Sequence, residues 1–173
     1  RGSRVFVERM TVEIEGEGEP VLMIHGLGGT SNVFTPILPA LSRHRTVRFD
    51  LPGSGRSHRV EGPLSLALFV DKARLVMDRA GVERAHIVAH SMGTVVAAHL
   101  AAAEPGRVLS LALFGPLLAP PEPARAAIRA RGAQARQGDM QPIADALVGA
   151  SLSAETRARR PTALREGPEA RRA

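Results

Sequence analysis

The pentapeptide AHSMG at residues 89–93 constrains this chain more than any other stretch, because it places a serine between an apolar strand and an Ala-rich helix. Residues 85–89 are short and mostly apolar, as expected of a buried parallel strand. Residues 94–103 are dominated by Ala and Val and stop at a Glu-Pro-Gly sequence typical of a helix C-terminus. A strand that turns directly into a helix needs small residues beside the turn, and the alanine and glycine of the pentapeptide supply them. The sequence therefore predicts a tight turn with Ser91 at its tip.

A second apolar strand, residues 21–24, leads directly into the loop HGLGG at residues 25–29. A loop rich in glycine can direct bare backbone N–H groups toward a ligand. In an acyl-transfer site two such donors stabilise the tetrahedral oxyanion, and here they would be the N–H groups of Leu27 and Met92. The two segments together predict an oxyanion hole beside Ser91.

A third strand, residues 46–49, ends at the turn-rich loop DLPGSGRS of residues 50–57. These three loops, each behind an apolar strand and in this order, resemble the α/β-hydrolase superfamily, specifically its branch of small bacterial esterases, lactonases and peroxidase-like enzymes. The resemblance covers residues 4–118. It implies an α/β fold with a doubly wound, mostly parallel sheet.

By this resemblance Ser91 is the catalytic nucleophile, and the N–H groups of Leu27 and Met92 are the oxyanion-hole donors. The remaining residues of the HGLGG loop that the resemblance assigns to the substrate-binding region are His25, Gly26 and Gly28. Residues 50–57 are expected to form a structural loop, and the resemblance assigns no catalytic role to Asp50.

A serine nucleophile favours acyl chemistry through an acyl-enzyme, whereas an aspartate at this position would favour dehalogenation or epoxide opening. Small esters or lactones are therefore the expected acyl substrates, and carbon–carbon bond hydrolysis and perhydrolysis remain open alternatives. No cofactor is predicted, because the third glycine of a dinucleotide loop would have to be Ser31. No metal is predicted either, since His86 and His90 would lie about 13 Å apart on a strand.

The general base and its orienting acid are the missing parts of this site. In this fold they follow the nucleophile on later strands, but no histidine follows His99, and the first carboxylate after strand 108–114 is Glu122. His99 would lie about 12 Å along the helix from Ser91, too far to act as the base by direct contact. His44 and His58 lie on loops, and of these His58 is kept as a remote candidate. Losing the histidine of a serine triad costs about a millionfold in turnover, so the chain alone is expected to be nearly inactive. The alternative is an inactive remnant that acts as a binding or interaction module.

Three segments are predicted along the chain: the N-terminal part of the hydrolase core at residues 4–118, a partial helical cap at 119–164, and a disordered tail at 165–173. The C-terminal strands of the fold are expected to be missing. Two cap helices are predicted, at residues 123–131 and 140–150.

The remaining predicted elements of the core are an antiparallel hairpin at residues 5–14 and helices at 33–41 and 64–80. Without later strands, Val108–Phe114 would be an exposed sheet edge, through which the chain is expected to self-associate.

Composition limits the other function classes. The net charge is +6, and from Pro120 onward the chain has ten arginines and six acidic residues, so most of the excess charge lies in the predicted cap and tail. The chain also has no Trp or Tyr to stack on bases. Nucleic-acid binding is therefore not predicted. The chain has no cysteine, which excludes disulfides and thiolate chemistry. Its apolar stretches are far shorter than the roughly 20 residues that span a bilayer, so no membrane interaction and a cytoplasmic location are expected.

Overall fold

The computed structural model describes residues 2–138, 140–143, 145–146 and 153–159. The chain divides into two compact units, Arg1–Leu117 and Leu118–Ala173. The predicted tail at residues 165–173 lies outside the described residues.

The first unit is built on one six-stranded sheet. Its strands are β1 Ser3–Val7, β2 Met10–Glu15, β3 Glu19–Ile24, β4 His44–Phe49, β5 Ala85–His90 and β6 Val108–Phe114. Their spatial order is β1-β2-β4-β3-β5-β6. Strand β3 pairs in parallel with β4 and β5, and β5 pairs in parallel with β6. The hairpin β1–β2 and the pair β2–β4 are antiparallel, which confirms the mostly parallel sheet with an antiparallel edge.

The position of β3 determines where a ligand can bind. From β3 the chain forms β4 on one side and then returns to form β5 on the other side of β3. Ligands bind in such sheets at the carboxyl ends of the strands where the order reverses. Because Ile24 pairs with Ala89, the loop after β3 and the turn after β5 begin side by side at this point.

Helices cover both faces of the sheet, which confirms the doubly wound arrangement. Helices α1 Leu66–Arg79 and α2 Met92–Ala103 pack on the face that carries Leu22 and Ile87. On the opposite face Phe34, from a 3₁₀ helix, packs with the second buried cluster. The members of that cluster on the sheet are Val21, Met23 and Val88.

The helix predicted at residues 33–41 differs in type from an α-helix. It is a 3₁₀ helix, Ser31–Leu41, with Pro36 and Pro39 inside it. Each proline lacks an N–H, and in an α-helix its ring would also clash with the carbonyl four residues earlier, so a continuous α-helix is disfavoured here. In contrast, α1 begins after Ser65, whose side-chain oxygen accepts a 3.1 Å hydrogen bond from the N–H of Leu68 and caps the helix.

In the second unit the helices with described bounds are α3 Glu122–Arg136 and α4 Ala154–Arg159. The predicted helix at 123–131 lies within α3. Of the helix predicted at 140–150, residues 141–143 and 145–146 are helical, and residues 147–150 lie outside the described residues. A search of the helices in the described part of the chain finds none with the length and apolar character needed to cross a membrane.

Strand β6 is the outermost strand at one end of the sheet. Its side chains Leu111 and Leu113 are 38% and 37% exposed, and Phe114 is 54% exposed. Within the described residues, this edge therefore carries exposed apolar side chains and has no strand paired on its outer side.

Candidate active site

Ser91 adopts a backbone conformation that few residues other than glycine tolerate. It lies between β5 and α2 with φ 53° and ψ −121°. Strained conformations of this kind cost about 1–3 kcal/mol and persist only where the surrounding structure enforces them. Part of that enforcement is visible, since the Ser91 N–H donates a 2.9 Å hydrogen bond to the carbonyl of Phe114 at the end of β6. The half-buried serine is thus held at the carboxyl end of the sheet.

Two glycines bring the loop after β3 against the Ser91 turn. A β-carbon on Gly93 would lie 2.2 Å from the carbonyl oxygen of Ile24 and 2.6 Å from that of His25. A β-carbon on Gly26 would lie 2.8 Å from the β-carbon of Ser91 and 3.4 Å from its hydroxyl oxygen. Neither position has room for a side chain, so the two segments approach at backbone contact distance. The structure therefore brings the predicted nucleophile and the HGLGG loop together.

The two expected oxyanion donors lie on these two segments. Met92 is the first residue of α2, where the N–H groups have no intrahelical acceptor. Leu27 lies at the tip of a turn that is closed by a 3.2 Å hydrogen bond from the Gly29 N–H to the Gly26 carbonyl, and its side chain is 73% exposed. Gly28, with φ 71°, supplies the left-handed residue that this turn requires.

The His25 ring holds this turn through two hydrogen bonds. Its ring is fully buried, and Nε2 accepts a 2.9 Å hydrogen bond from the N–H of Leu51. A backbone N–H can only donate, so the ring proton lies on Nδ1 and is donated to the Gly26 carbonyl at 2.8 Å. Burial lowers the pKa of His25 below its ordinary value of 6.5, in keeping with a neutral ring. His25, predicted as part of the substrate-binding region, therefore faces the protein interior and holds the loop in place.

Asp50 connects two loops beside the site. Its buried carboxylate accepts hydrogen bonds from the N–H of Ser31 at 2.8 Å and from the N–H and Nε of Arg56 at 3.0 and 3.1 Å. Burial by itself would raise the pKa of this carboxyl, but the donors from Arg56 and Ser31 outweigh burial and hold its pKa below the usual range. A β-carbon on Gly55 would lie 2.6 Å from the Asp50 carboxylate, so the loop closes tightly around the anion. These contacts describe a structural residue.

Residues 19–163 match the family described as alpha/beta hydrolase fold. This chain belongs to the α/β-hydrolase fold family. The described residues of this chain include a strand-to-helix turn at Ser91, a glycine-rich loop after β3 and a reversal of strand order at β3.

Individual relatives place the chain among longer proteins. It is 40% identical over 102 residues to a candidate carbamate hydrolase, RutD, of Azorhizobium caulinodans, covering 58% of this chain and 38% of that protein. It is 43% identical over 103 residues to a dihydrolipoyllysine-residue acetyltransferase component of the acetoin cleaving system of Cupriavidus necator, covering 59% of this chain and 28% of that protein. A hydrolase structure from Pseudomonas aeruginosa matches 98% of this chain and 66% of its own, with a TM-score of 0.81 and 25% identity. The chain thus spans less than half of the length of these two curated relatives.

All six histidines of this α/β-hydrolase chain lie in the described residues, and none of them hydrogen-bonds to the Ser91 hydroxyl. His99 contacts the Val95 carbonyl one turn back on α2. His86 lies between Ser110 and Glu19, at 2.7 and 3.1 Å. His58 is exposed on its loop. Within the described ranges no group of three or more His, Asp or Glu side chains is arranged to hold a metal ion.

A buried charged cluster next to the 50–57 loop has no counterpart in the sequence-based prediction. Arg56 donates to Glu13 at 2.8 Å as well as to Asp50, and Arg48 lies 3.0 Å from Glu13. Glu13 and Arg48 are direct partners across the antiparallel pair β2–β4. The sequence gives no signal for this cluster, because cross-strand neighbours are known only once the register is known.

Sequence reasoning also missed two contacts of the Ser91 turn. The Thr94 hydroxyl lies 2.6 Å from the Ser91 carbonyl oxygen and 3.3 Å from the N–H of Leu117. The Phe114 carbonyl accepts from Ser91. A signal existed for the first contact, since a threonine three residues into a helix commonly bonds back to the preceding turn.

An open groove of about 570 Å³ lies along α1, and Ser91 is not among the residues that line it. It is lined by Asp71, Lys72, Arg74, Leu75, Asp78 and Glu104. Arg74 pairs with Asp71 and Glu104 at 3.0 and 3.2 Å, so the charges of this groove largely satisfy one another.

Proposed function

We propose that the protein is a serine hydrolase that acts on a carboxylic ester or lactone through an acyl-enzyme on Ser91. The observation that carries this proposal is the left-handed backbone of Ser91, packed at contact distance against the HGLGG loop. A strained serine at a strand-to-helix turn gains nothing in stability from its conformation, so the arrangement fits a nucleophile.

In this mechanism the Ser91 hydroxyl oxygen attacks the substrate carbonyl and forms a tetrahedral intermediate. The oxyanion receives hydrogen bonds from the N–H groups of Leu27 and Met92, and the positive end of the α2 dipole adds to this stabilisation. The carbon–oxygen bond to the alcohol breaks, and the proton that a general base took from Ser91 passes to the leaving oxygen. Water then attacks the acyl-enzyme and gives a proton to the same base, the acid is released, and the proton returns to the Ser91 oxygen. A single oxyanion donor contributes about 10²- to 10³-fold in such reactions. The resemblance to a candidate carbamate hydrolase supports chemistry at a carbonyl carbon.

Among the described residues no histidine hydrogen-bonds to the Ser91 hydroxyl, so none is assigned as its general base. An added small base should then take over part of the missing function. The chain alone is expected to react about a millionfold more slowly than a complete triad.

The test is covalent labelling of the 173-residue chain with an alkyl fluorophosphonate, in the presence and absence of imidazole. We expect slow modification of Ser91, located by peptide mass mapping, and an increase in its rate with imidazole concentration. Ser91→Ala removes the expected adduct. Ser110→Ala is the matched control, because Ser110 is the serine that already has a histidine nitrogen 2.7 Å away.

Modification of Ser110 in place of Ser91, or equal modification of many surface serines, would contradict the proposal. An inactive binding module makes a different prediction: acyl compounds would bind without forming any adduct on Ser91, with or without imidazole.

A further inference from the structure

We propose that Thr94 is a positioning residue for the oxyanion hole. Its hydroxyl fixes the peptide that joins Ser91 to Met92, and the N–H of that peptide is one of the two oxyanion donors. The inference rests on the proposed function of Ser91 and adds a residue to it.

The carbonyl oxygen of Ser91 is held by two donors from the same residue. The backbone N–H of Thr94 lies 2.9 Å from it and the Thr94 hydroxyl lies 2.6 Å from it. A peptide group is planar, with the C=O and the N–H pointing in opposite directions. Fixing the Ser91 carbonyl therefore fixes the direction in which the Met92 N–H points.

The direction of the hydroxyl hydrogen follows from its second contact. The N–H of Leu117 lies 3.3 Å from the Thr94 hydroxyl oxygen and can only donate. The hydroxyl oxygen accepts there, so its own hydrogen is free to be donated to the Ser91 carbonyl. The result is a continuous chain of donors from Leu117 through Thr94 to the Ser91–Met92 peptide.

This chain also affects the strength of the Met92 donor. A hydrogen bond to a carbonyl polarises the whole peptide group and makes its N–H a better donor, and successive bonds reinforce one another. Thr94 is 2% exposed, so water does not compete for its hydroxyl. We infer that Thr94 both aims and polarises the Met92 N–H before substrate arrives.

Three variants separate this role from a general loss of a buried hydroxyl. Thr94→Val keeps the shape of the side chain and removes the hydroxyl, whereas Thr94→Ser keeps the hydroxyl. Thr46→Val is the matched control, because Thr46 is also buried and its hydroxyl donates to a backbone carbonyl, that of Glu15, at 3.3 Å on the sheet.

The first measurement is amide NMR and hydrogen exchange on the full chain. In Thr94→Val we expect the Met92 amide proton to shift upfield and the Leu117 amide to exchange about tenfold faster, since its acceptor is gone. Thr94→Ser should keep both signals near those of the wild type. Thr46→Val should move neither.

The second measurement is imidazole-assisted labelling of Ser91 by the fluorophosphonate. In Thr94→Val we expect the maximal labelling rate to fall about tenfold, less than the 10²- to 10³-fold cost of losing a whole donor. The probe concentration that gives half of this rate should not change, because the donor acts in the transition state. Thr94→Ser should restore the rate.

Each remaining outcome overturns the inference in a distinct way. Unchanged Met92 and Leu117 amides in Thr94→Val would show that the hydroxyl does not control the peptide. Changed amides with an unchanged labelling rate would make Thr94 a purely structural residue. If the wild-type chain is labelled no faster than the Ser91→Ala chain, the proposed function itself fails. The amide changes would then describe only the N-terminus of a helix.

Discussion

Gly93 and Ile24 meet at backbone contact distance: a β-carbon on Gly93 would lie 2.2 Å from the Ile24 carbonyl oxygen. The Ser91 turn and the last residue of β3 are therefore separated by main-chain atoms alone, with no flexible side chain between them. The distance between the Ser91 turn and the HGLGG loop is set by this contact and by its counterpart at Gly26. Such a contact can adjust to an added atom only by moving a strand.

The first prediction concerns this contact. Gly93→Ala forces a methyl group into the Ile24 carbonyl, and we expect the free energy of unfolding to fall by about 3 kcal/mol, the upper range for an overpacked site. Urea unfolding followed by circular dichroism measures it. Gly106→Ala is the control, since a β-carbon there meets nothing within 4 Å, and its effect should stay within about 0.5 kcal/mol. Equal stability of the two variants would show that β3 and the turn are not in contact.

The local parts of this fold could be predicted from the sequence because their signals are local. The apolar runs before Ser91 and His25, and the glycines that follow, identified β3, β5 and the two loops without any knowledge of the register. The family resemblance then supplied the expected roles of Leu27 and Met92, which stay predictions. What the sequence could not show is which side chains meet across strands, as with Glu13 and Arg48. Their pairing depends on contacts between residues distant in the chain, for which one sequence holds no periodic pattern.

The segment Ser31–Leu41 differs from the prediction in the type of helix that it forms. The alternation of strands and helices along the chain predicted a helix at residues 33–41. The prolines at positions 36 and 39 decide the hydrogen-bond pattern instead, and they favour the 3₁₀ form that the structure shows. The alternation thus predicted the position of a helix, and the prolines determined its hydrogen-bond pattern.

The second prediction tests the strain at Ser91. Glycine adopts φ 53° and ψ −121° without the clash that a β-carbon causes, although it also gives the unfolded chain more freedom. We expect Ser91→Gly to be more stable than Ser91→Ala by about 1 kcal/mol, the strain relieved less the entropy added. Both variants lack the hydroxyl, so the comparison isolates the backbone. Urea unfolding of the two variants side by side gives the difference, and a less stable glycine variant would mean that Ser91 is not strained.

The third prediction concerns pH. Burial lowers the pKa of His25 in the folded protein, whereas the unfolded chain titrates near the ordinary value of 6.5. Below that pH the unfolded state binds a proton that the folded state does not, so stability is complete above pH 6.5 and is lost as the pH falls. The slope for one proton is at most about 1.4 kcal/mol per pH unit. Urea unfolding at intervals between about pH 7 and 5 measures this slope. The buried carboxyls Asp50 and Glu13, whose pKa values are lowered, affect stability only in more acidic solution.

Two variants identify the titrating group. His25→Asn should lower stability at neutral pH and flatten the slope between pH 7 and 5, because the titrating ring is gone. His99→Asn, at an exposed position on α2, should leave the slope unchanged. A slope that survives in His25→Asn would assign the pH dependence to another residue.

The fourth prediction concerns the sheet edge at β6. Its outer backbone groups lie at the end of the sheet, and Leu111 and Leu113 are each more than a third exposed, a combination that favours pairing with another chain. We expect the purified chain to self-associate through Val108–Phe114, with an apparent mass in light scattering that rises with concentration. Replacing both leucines by lysine should shift the sample toward monomer, because charges on an edge strand oppose pairing. Val33→Lys, which charges an exposed apolar position on the 3₁₀ helix, should leave the association unchanged. A wild-type chain that stays monomeric at every concentration would rule out this edge as an interface between copies, and an equal effect of Val33→Lys would attribute the association to general surface hydrophobicity.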